Sequence, residues 1–153
     1  MDTREFLNRS AIQDKEIEEL YREVASSFGL NMTEFWIIYF LANLTESLTQ
    51  ADLCKIIMSP KQTINSSVKV LERKMMLEID GASGRKNKVV RLTEKGKILS
   101  KESAIPLYEE EIKTASELTE KEKEIFLKVR DKFYKGLRTK LLVKGLLGEQ
   151  NDR

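Results

Sequence analysis

Five polar side chains share one side of a single segment. From Pro60 onward, Gln62, Asn65, Ser66, Lys69 and Arg73 fall within one arc of a helix, while Ile64, Val68 and Leu71 recur at steps of four and three on the opposite side. Amides, a hydroxyl and cations are the groups that hydrogen-bond base edges and phosphates in the major groove of a duplex. Lys61 and Thr63 flank the same arc. Taken alone, such a face is more often simply solvated. Neutral amides are poorer solvating groups than Glu and Lys, which tilts the balance toward contact. A second cluster follows: Arg85, Lys86, Lys88, Arg91, Lys95 and Lys97, opposed only by Glu94. A basic tip of this kind can track a phosphate backbone into the minor groove. Charge that merely keeps a loop soluble is its other reading.

These groups need elements to hold them. Residues Phe6 to Phe28 carry an apolar stripe of Ile17, Leu20, Tyr21, Val24 and Phe28, which predicts a helix that Gly29 ends. Thr33 opens a second helix with Glu34 in its first turn. Phe35 to Leu41 is apolar nearly all round, so this helix forms the centre of the core. Thr49 and Asp52 have capping-box spacing and start a short helix that sends Leu53, Ile56 and Ile57 inward. A break follows, with Ser59 as N-cap and Pro60 in the first turn of the next helix. Two short helices joined by a tight turn form a helix-turn-helix pattern.

The period then changes. Met76 to Asp80 and Lys88 to Leu92 read as strands around the turn-forming segment Gly81 to Asn87. Thr93 caps a long helix through Ser116 that Pro106 kinks or breaks. Thr119 and Glu122 form a capping box for a last helix reaching about Lys144, with the stripe Phe126, Val129, Phe133, Leu137, Leu141 and Leu142. Gly145 and Gly148 end it. The expected fold is mainly α with a small β-hairpin: a winged helix-turn-helix with long N- and C-terminal helices, and no clear domain boundary.

Composition narrows the function. The net charge of +2 rules out a global basic excess as the argument for nucleic acid, so only local clusters count. With no histidine, the commonest general base and metal ligand are missing, and no enzyme, metal site or cofactor is expected. The single Cys54 cannot form an internal disulfide, which fits a reducing cytoplasm, and beside Leu53 and Ile56 it reads as a core-boundary residue. The N-terminus lacks a hydrophobic signal core, and Phe35 to Leu44 is too short to span a bilayer. A cytoplasmic protein without membrane association is expected. The acidic stretches at Glu109 to Glu111 and at Glu117, Glu120, Glu122 and Glu124 read as capping and a solvated face.

The ordered set of motifs resembles the multiple-antibiotic-resistance regulator (MarR) family, over about Glu5 to Lys144. Leu48-Thr49-Gln50-Ala51-Asp52-Leu53 is similar to the family's third helix, and Ser59-Pro60-Lys61-Gln62-Thr63-Ile64-Asn65-Ser66 to the recognition helix of a common branch. Leu71-Glu72-Arg73-Lys74 resembles that helix's end, and Leu92-Thr93-Glu94-Lys95-Gly96 the stretch leaving the wing. Two positions depart from the pattern. Met75 stands where the family usually has glycine, and Gly84 and Lys86 stand where it tends to have an aspartate and an arginine.

The resemblance implies a DNA-binding transcription regulator, most often a repressor, that binds a near-palindromic site as a homodimer. The winged-helix lobe would span residues 31–99, and residues 1–30 and 100–147 would form the dimerisation helices. The DNA-facing set it implies is Thr49, Gln50, Ser59, Lys61, Gln62, Thr63, Asn65, Ser66, Lys69, Arg85, Lys86 and Lys88. Small aromatic or anionic effectors are common in the family, and Phe28, Trp36, Tyr39 and Phe40 are the candidate lining; plain core is the other reading of those rings. The basic residues of the last helix, Lys128 to Lys144, are expected to pair with acidic residues such as Glu16, Glu18 and Glu19 of the first. A monomer that folds its own stripes back remains open. So does a winged-helix protein-interaction module without sequence-specific DNA binding.

Overall fold

The computed structural model describes residues 1–80 and 88–147. Helix α1 spans Thr3–Ser27 and starts earlier than its apolar stripe, because the Asp2 carboxylate accepts the Glu5 backbone N–H at 2.8 Å. It ends where Gly29 turns left-handed at φ +66° and the Leu30 N–H returns to the Ala25 carbonyl at 3.1 Å. Helix α2 is Met32–Asn43. Its cap is Asn31 rather than Thr33: the Asn31 amide oxygen accepts the Glu34 N–H at 2.9 Å, and the Glu34 carboxylate returns to the Asn31 backbone. Thr33 lies inside the first turn.

Strand β1, Leu48–Thr49, precedes α3, Gln50–Ile57, and α4, Lys61–Arg73. Strands β2, Leu77–Asp80, and β3, Val89–Leu92, follow. The three strands form an antiparallel sheet in the order β1-β3-β2, with Leu48 opposite Val90 and Leu77 opposite Leu92. The expected hairpin thus gains a third strand, too short to show any alternation. The expected helix from Thr93 is two helices, α5, Glu94–Glu102, and α6, Ala104–Ser116. The break falls at Ser103, not at Pro106. The reason is positional: the break upstream places Pro106 in the first turn of α6, where an N–H has no intrahelical acceptor to lose. Helix α7, Glu120–Val143, begins with the expected Thr119–Glu122 capping box.

The described chain divides into two compact units, Met1–Glu110 and Glu111–Arg153. The first holds the core. Phe35, Ile37 and Ile38 of α2, Leu53 of α3, Ile64, Val68 and Leu71 of α4 and Val90 of β3 are fully buried together. The apolar residues of α2 that point all round are therefore shared among α3, α4 and the sheet. Cys54 packs at the edge of this core. The second unit contains α7, of which no residue is buried. No helix among the described residues is long and apolar enough to cross a membrane.

Candidate nucleic-acid interface

The geometry of α3 and α4 follows from two local signals. Thr49 caps α3 reciprocally: its hydroxyl donates to the Asp52 carboxylate at 2.6 Å, its N–H donates to the same oxygen at 3.0 Å, and its Oγ1 accepts the Asp52 N–H at 3.1 Å. The Thr49 hydroxyl and N–H hold the Asp52 carboxyl below its ordinary range. Met58 then takes a left-handed conformation at φ 55°, ending α3. The N-cap of α4 is Pro60 and not Ser59, and no side-chain cap hydrogen bond is made there. Proline has no side-chain acceptor, so the cap expected from Ser59 is not made.

Helix α4 splits as its sequence pattern requires. Ile64, Val68 and Leu71 are wholly buried, and Ser67 beside them nearly so. Lys61, Gln62, Thr63, Ser66, Lys69 and Arg73 are exposed, and Asn65 is half-buried. Among the described residues, the side chains of Gln62, Asn65 and Lys69 bond no other group. Ser66 is different: its hydroxyl donates to the Gln62 carbonyl at 2.9 Å, so it faces outward only as an acceptor. Gln50 and Ser59 are half-buried at the starts of α3 and of the approach to α4. Thr49 has its hydroxyl committed to the cap.

The wing is held at its root. The pairs Glu78–Arg91, Ile79–Val90 and Asp80–Val89 keep β2 and β3 in register. Exposed Lys88 stands just before β3. Arg85 and Lys86, with Gly84, lie outside the described residues. The sheet therefore brings Lys88 and Arg91 to the same small structure as α4, and the placement of the tip is not part of the geometry.

The rings proposed as an effector lining are gathered on α2. Trp36 stacks on Phe40 at 5.8 Å and meets Tyr39 edge-on at 5.1 Å and Tyr21 at 4.9 Å. Tyr39 in turn meets Tyr108 at 5.9 Å. Phe28 packs separately against the edge of the core. The rings fill space by packing on one another.

Charge pairing is mostly local. Glu18 binds Lys15 and Arg22, and Glu19 also binds Arg22, all within α1. Hydrogen bonding to Lys15 leads in lowering the Glu18 carboxyl's pKa. On α7, Lys135 pairs with Asp131 and Lys123 with Glu120. Glu18 and Glu19 thus each have a partner one turn away on α1. One long-range ion pair was not foreseen: Lys74 reaches Glu34, forty residues away in sequence, at 3.3 Å.

Residues 28–86 match the model of the MarR family. No curated protein matches the chain. Among solved structures, the MarR family regulator NMB1585 from Neisseria meningitidis is similar with a TM-score of 0.75 at 21% identity, over 94% of this chain and 99% of that one. The S. aureus MepR–DNA complex is similar with a TM-score of 0.68 at 23% identity, over 88% and 96%. S. aureus MarR in complex with salicylate and kanamycin is similar with a TM-score of 0.66 at 14% identity, over 90% and 93%. Residues 28–86, which contain α4 and its supporting elements, are thus similar to the MarR family, in a chain whose fold is that of the MarR family regulators among the solved structures.

Proposed function

We propose that the chain is a DNA-binding transcription regulator that acts by contact and not by catalysis. One observation carries the reading. Helix α4 has one face wholly buried and the other largely exposed, and on that polar face the amides of Gln62 and of half-buried Asn65 bond no other group among the described residues. The similarity to a regulator solved on DNA supports the same reading. Gln62 and Asn65 would read base edges, with Ser66 accepting. Lys61, Thr63 and Lys69 would lie at bases or phosphates, with Thr49, Gln50 and Ser59 at the entry to the groove. Lys88, with Arg85 and Lys86 beyond it, would hold the backbone at the wing. The exposed stripe of α7 supports a homodimer, and hence a near-palindromic site with half-sites about one turn apart. We take the regulation to be repression, relieved by a small aromatic or anionic effector near Phe28, Trp36, Tyr39 and Phe40.

The test uses Asn65→Ala. On a duplex enriched by the wild-type protein from a randomised library, affinity is expected to fall by about 1–3 kcal/mol, with binding to random duplex nearly unchanged. Equal losses on both duplexes would remove base reading by this residue.

A further inference from the structure

The carboxy-terminal end of α4 is fastened from two sides, and the fastenings converge on Lys74. Its ammonium donates to the Glu34 carboxylate at 3.3 Å and to the Gly29 carbonyl at 3.4 Å, at the corner between α1 and α2. Its carbonyl accepts the Lys95 ammonium at 3.0 Å, from the first turn of α5. The next two carbonyls are also taken from that side: Thr93 donates its hydroxyl to Met75 at 2.6 Å and its N–H to Met76 at 3.1 Å. Gly96 closes the contact, since a Cβ there would stand 2.1 Å from the Met76 carbonyl oxygen. These contacts need the chain to reverse at once, and Met75 supplies this with a left-handed φ of 58°.

The Glu34 side chain is only 7% exposed, whereas that of Lys74 is 39% exposed. Glu34 already serves its own helix, accepting from the backbone N–H and the side-chain amide of Asn31. A carboxylate removed from water loses hydration that a partly exposed lysine only partly replaces, so a pair of this kind adds little net stability. What it does add is direction. It ties the end of α4 to the α1–α2 corner through two contacts from one ammonium.

We propose that Lys74 and Glu34 are positioning residues for DNA recognition, setting the angle at which α4 is presented. Apolar burial of Ile64, Val68 and Leu71 holds α4 onto the core, but burial is non-directional and leaves the helix able to rock about its buried face. The ion pair at one end removes that freedom. This rests on the DNA-binding reading above. It predicts a selective defect: base edges require a fixed helix angle, while phosphate attraction tolerates error.

The experiment compares wild type, Lys74→Met, Glu34→Gln and the double variant on the duplex enriched by wild type and on random duplex, over a range of salt. Melting is followed in parallel. Each single variant is expected to lose about tenfold in affinity for the enriched duplex and to keep random-duplex affinity within about twofold, with an unchanged salt slope. The double variant is expected to match the singles, because the two residues act through one contact. Lys74→Arg, which keeps the charge and reach, is expected to recover most of the loss, and the parallel melting curves separate a fold defect in Glu34→Gln from a loss of selectivity. Loss on both duplexes with a shallower salt slope in Lys74→Met, and none in Glu34→Gln, would make Lys74 a phosphate contact and overturn the proposal. Additive losses, or variants indistinguishable from wild type, would also overturn it while leaving the DNA-binding reading intact. A wild-type protein that enriches no duplex would overturn both.

Discussion

Helices α4 and α7 are both amphipathic, and they have opposite fates. The apolar side of α4 is fully buried within its own chain, at Ile64, Val68 and Leu71. The apolar side of α7 is not: Phe126 is 55% exposed, Val129 51% and Leu137 45%. Both sequences show the same 3.6-residue period, so period alone does not say where an apolar stripe will be covered. The difference lies in the neighbours. Helix α4 is flanked by short elements that α2 gathers into one core. Helix α7 is a long element in a unit of its own, with ion pairs made along its own surface. One helix is completed by the chain. The other keeps an exposed apolar face, on which the proposed homodimer would form.

The largest expected effect tests that contrast directly. Val129→Asp combined with Leu137→Asp places two carboxylates in the α7 stripe. Charge in a buried apolar interface is costly, so the variant is expected to sediment as a monomer where the proposed wild-type homodimer forms, and to lose its enriched duplex. Retention of wild-type mass would mean that α7 does not complete itself through a second copy. A mutation in the finished helix should behave otherwise. Ile64→Ala is expected to destabilise the fold by about 2–5 kcal/mol, through lost burial and the cavity left behind. It should lower the denaturation midpoint with little change in the dissociation of the proposed dimer once folded. A loss below about 1 kcal/mol would show that the α4 core is looser than its full burial implies.

How far the sequence carries such a contrast depends on the range of the forces involved. Capping is local, and Thr49–Asp52, Thr93 and Thr119–Glu122 act in the structure as their spacing predicts. The apolar and polar sides of α4 also follow from period alone. What failed was competition between near-equal local choices. Asn31 displaced Thr33 as the cap of α2, because Glu34 stands three residues after Asn31 and closes a capping box with it, whereas Trp36 holds that position after Thr33. Ser59 lost the α4 cap to Pro60. The long helix broke at Ser103, three residues before the proline that was expected to break it. Strand β1 was invisible because two residues cannot show alternation and its partner among the described residues, β3, is about forty residues away in the chain. The Lys74–Glu34 pair was hidden for the same reason: a lysine and a glutamate at that separation are ordinary until the fold brings them together. The candidate contact residues on α4 were readable as a face. That Ser66 has already spent its hydroxyl proton on Gln62 was not.

The smallest expected effect sharpens the account of how α4 is finished. Met75 holds its left-handed backbone while 66% exposed, so its side chain gains little from burial to offset the conformation. A residue with a Cβ is disfavoured there by about 1–2 kcal/mol, and glycine is not. Glycine also makes the unfolded chain more flexible, which returns part of that gain. Met75→Gly is therefore expected to stabilise the protein by about 0.5–1 kcal/mol, read as a higher denaturant midpoint at unchanged slope. Selectivity between the enriched and random duplexes should stay as in wild type. The ties at Lys74, Thr93 and Lys95 engage backbone carbonyls and Glu34, and none of them uses the Met75 side chain. A drop in selectivity at raised stability would show that the stiffness of Met75 itself helps to set the helix angle. The strained methionine would then belong to the recognition apparatus, and the completeness of α4 would depend on backbone conformation as well as on packing.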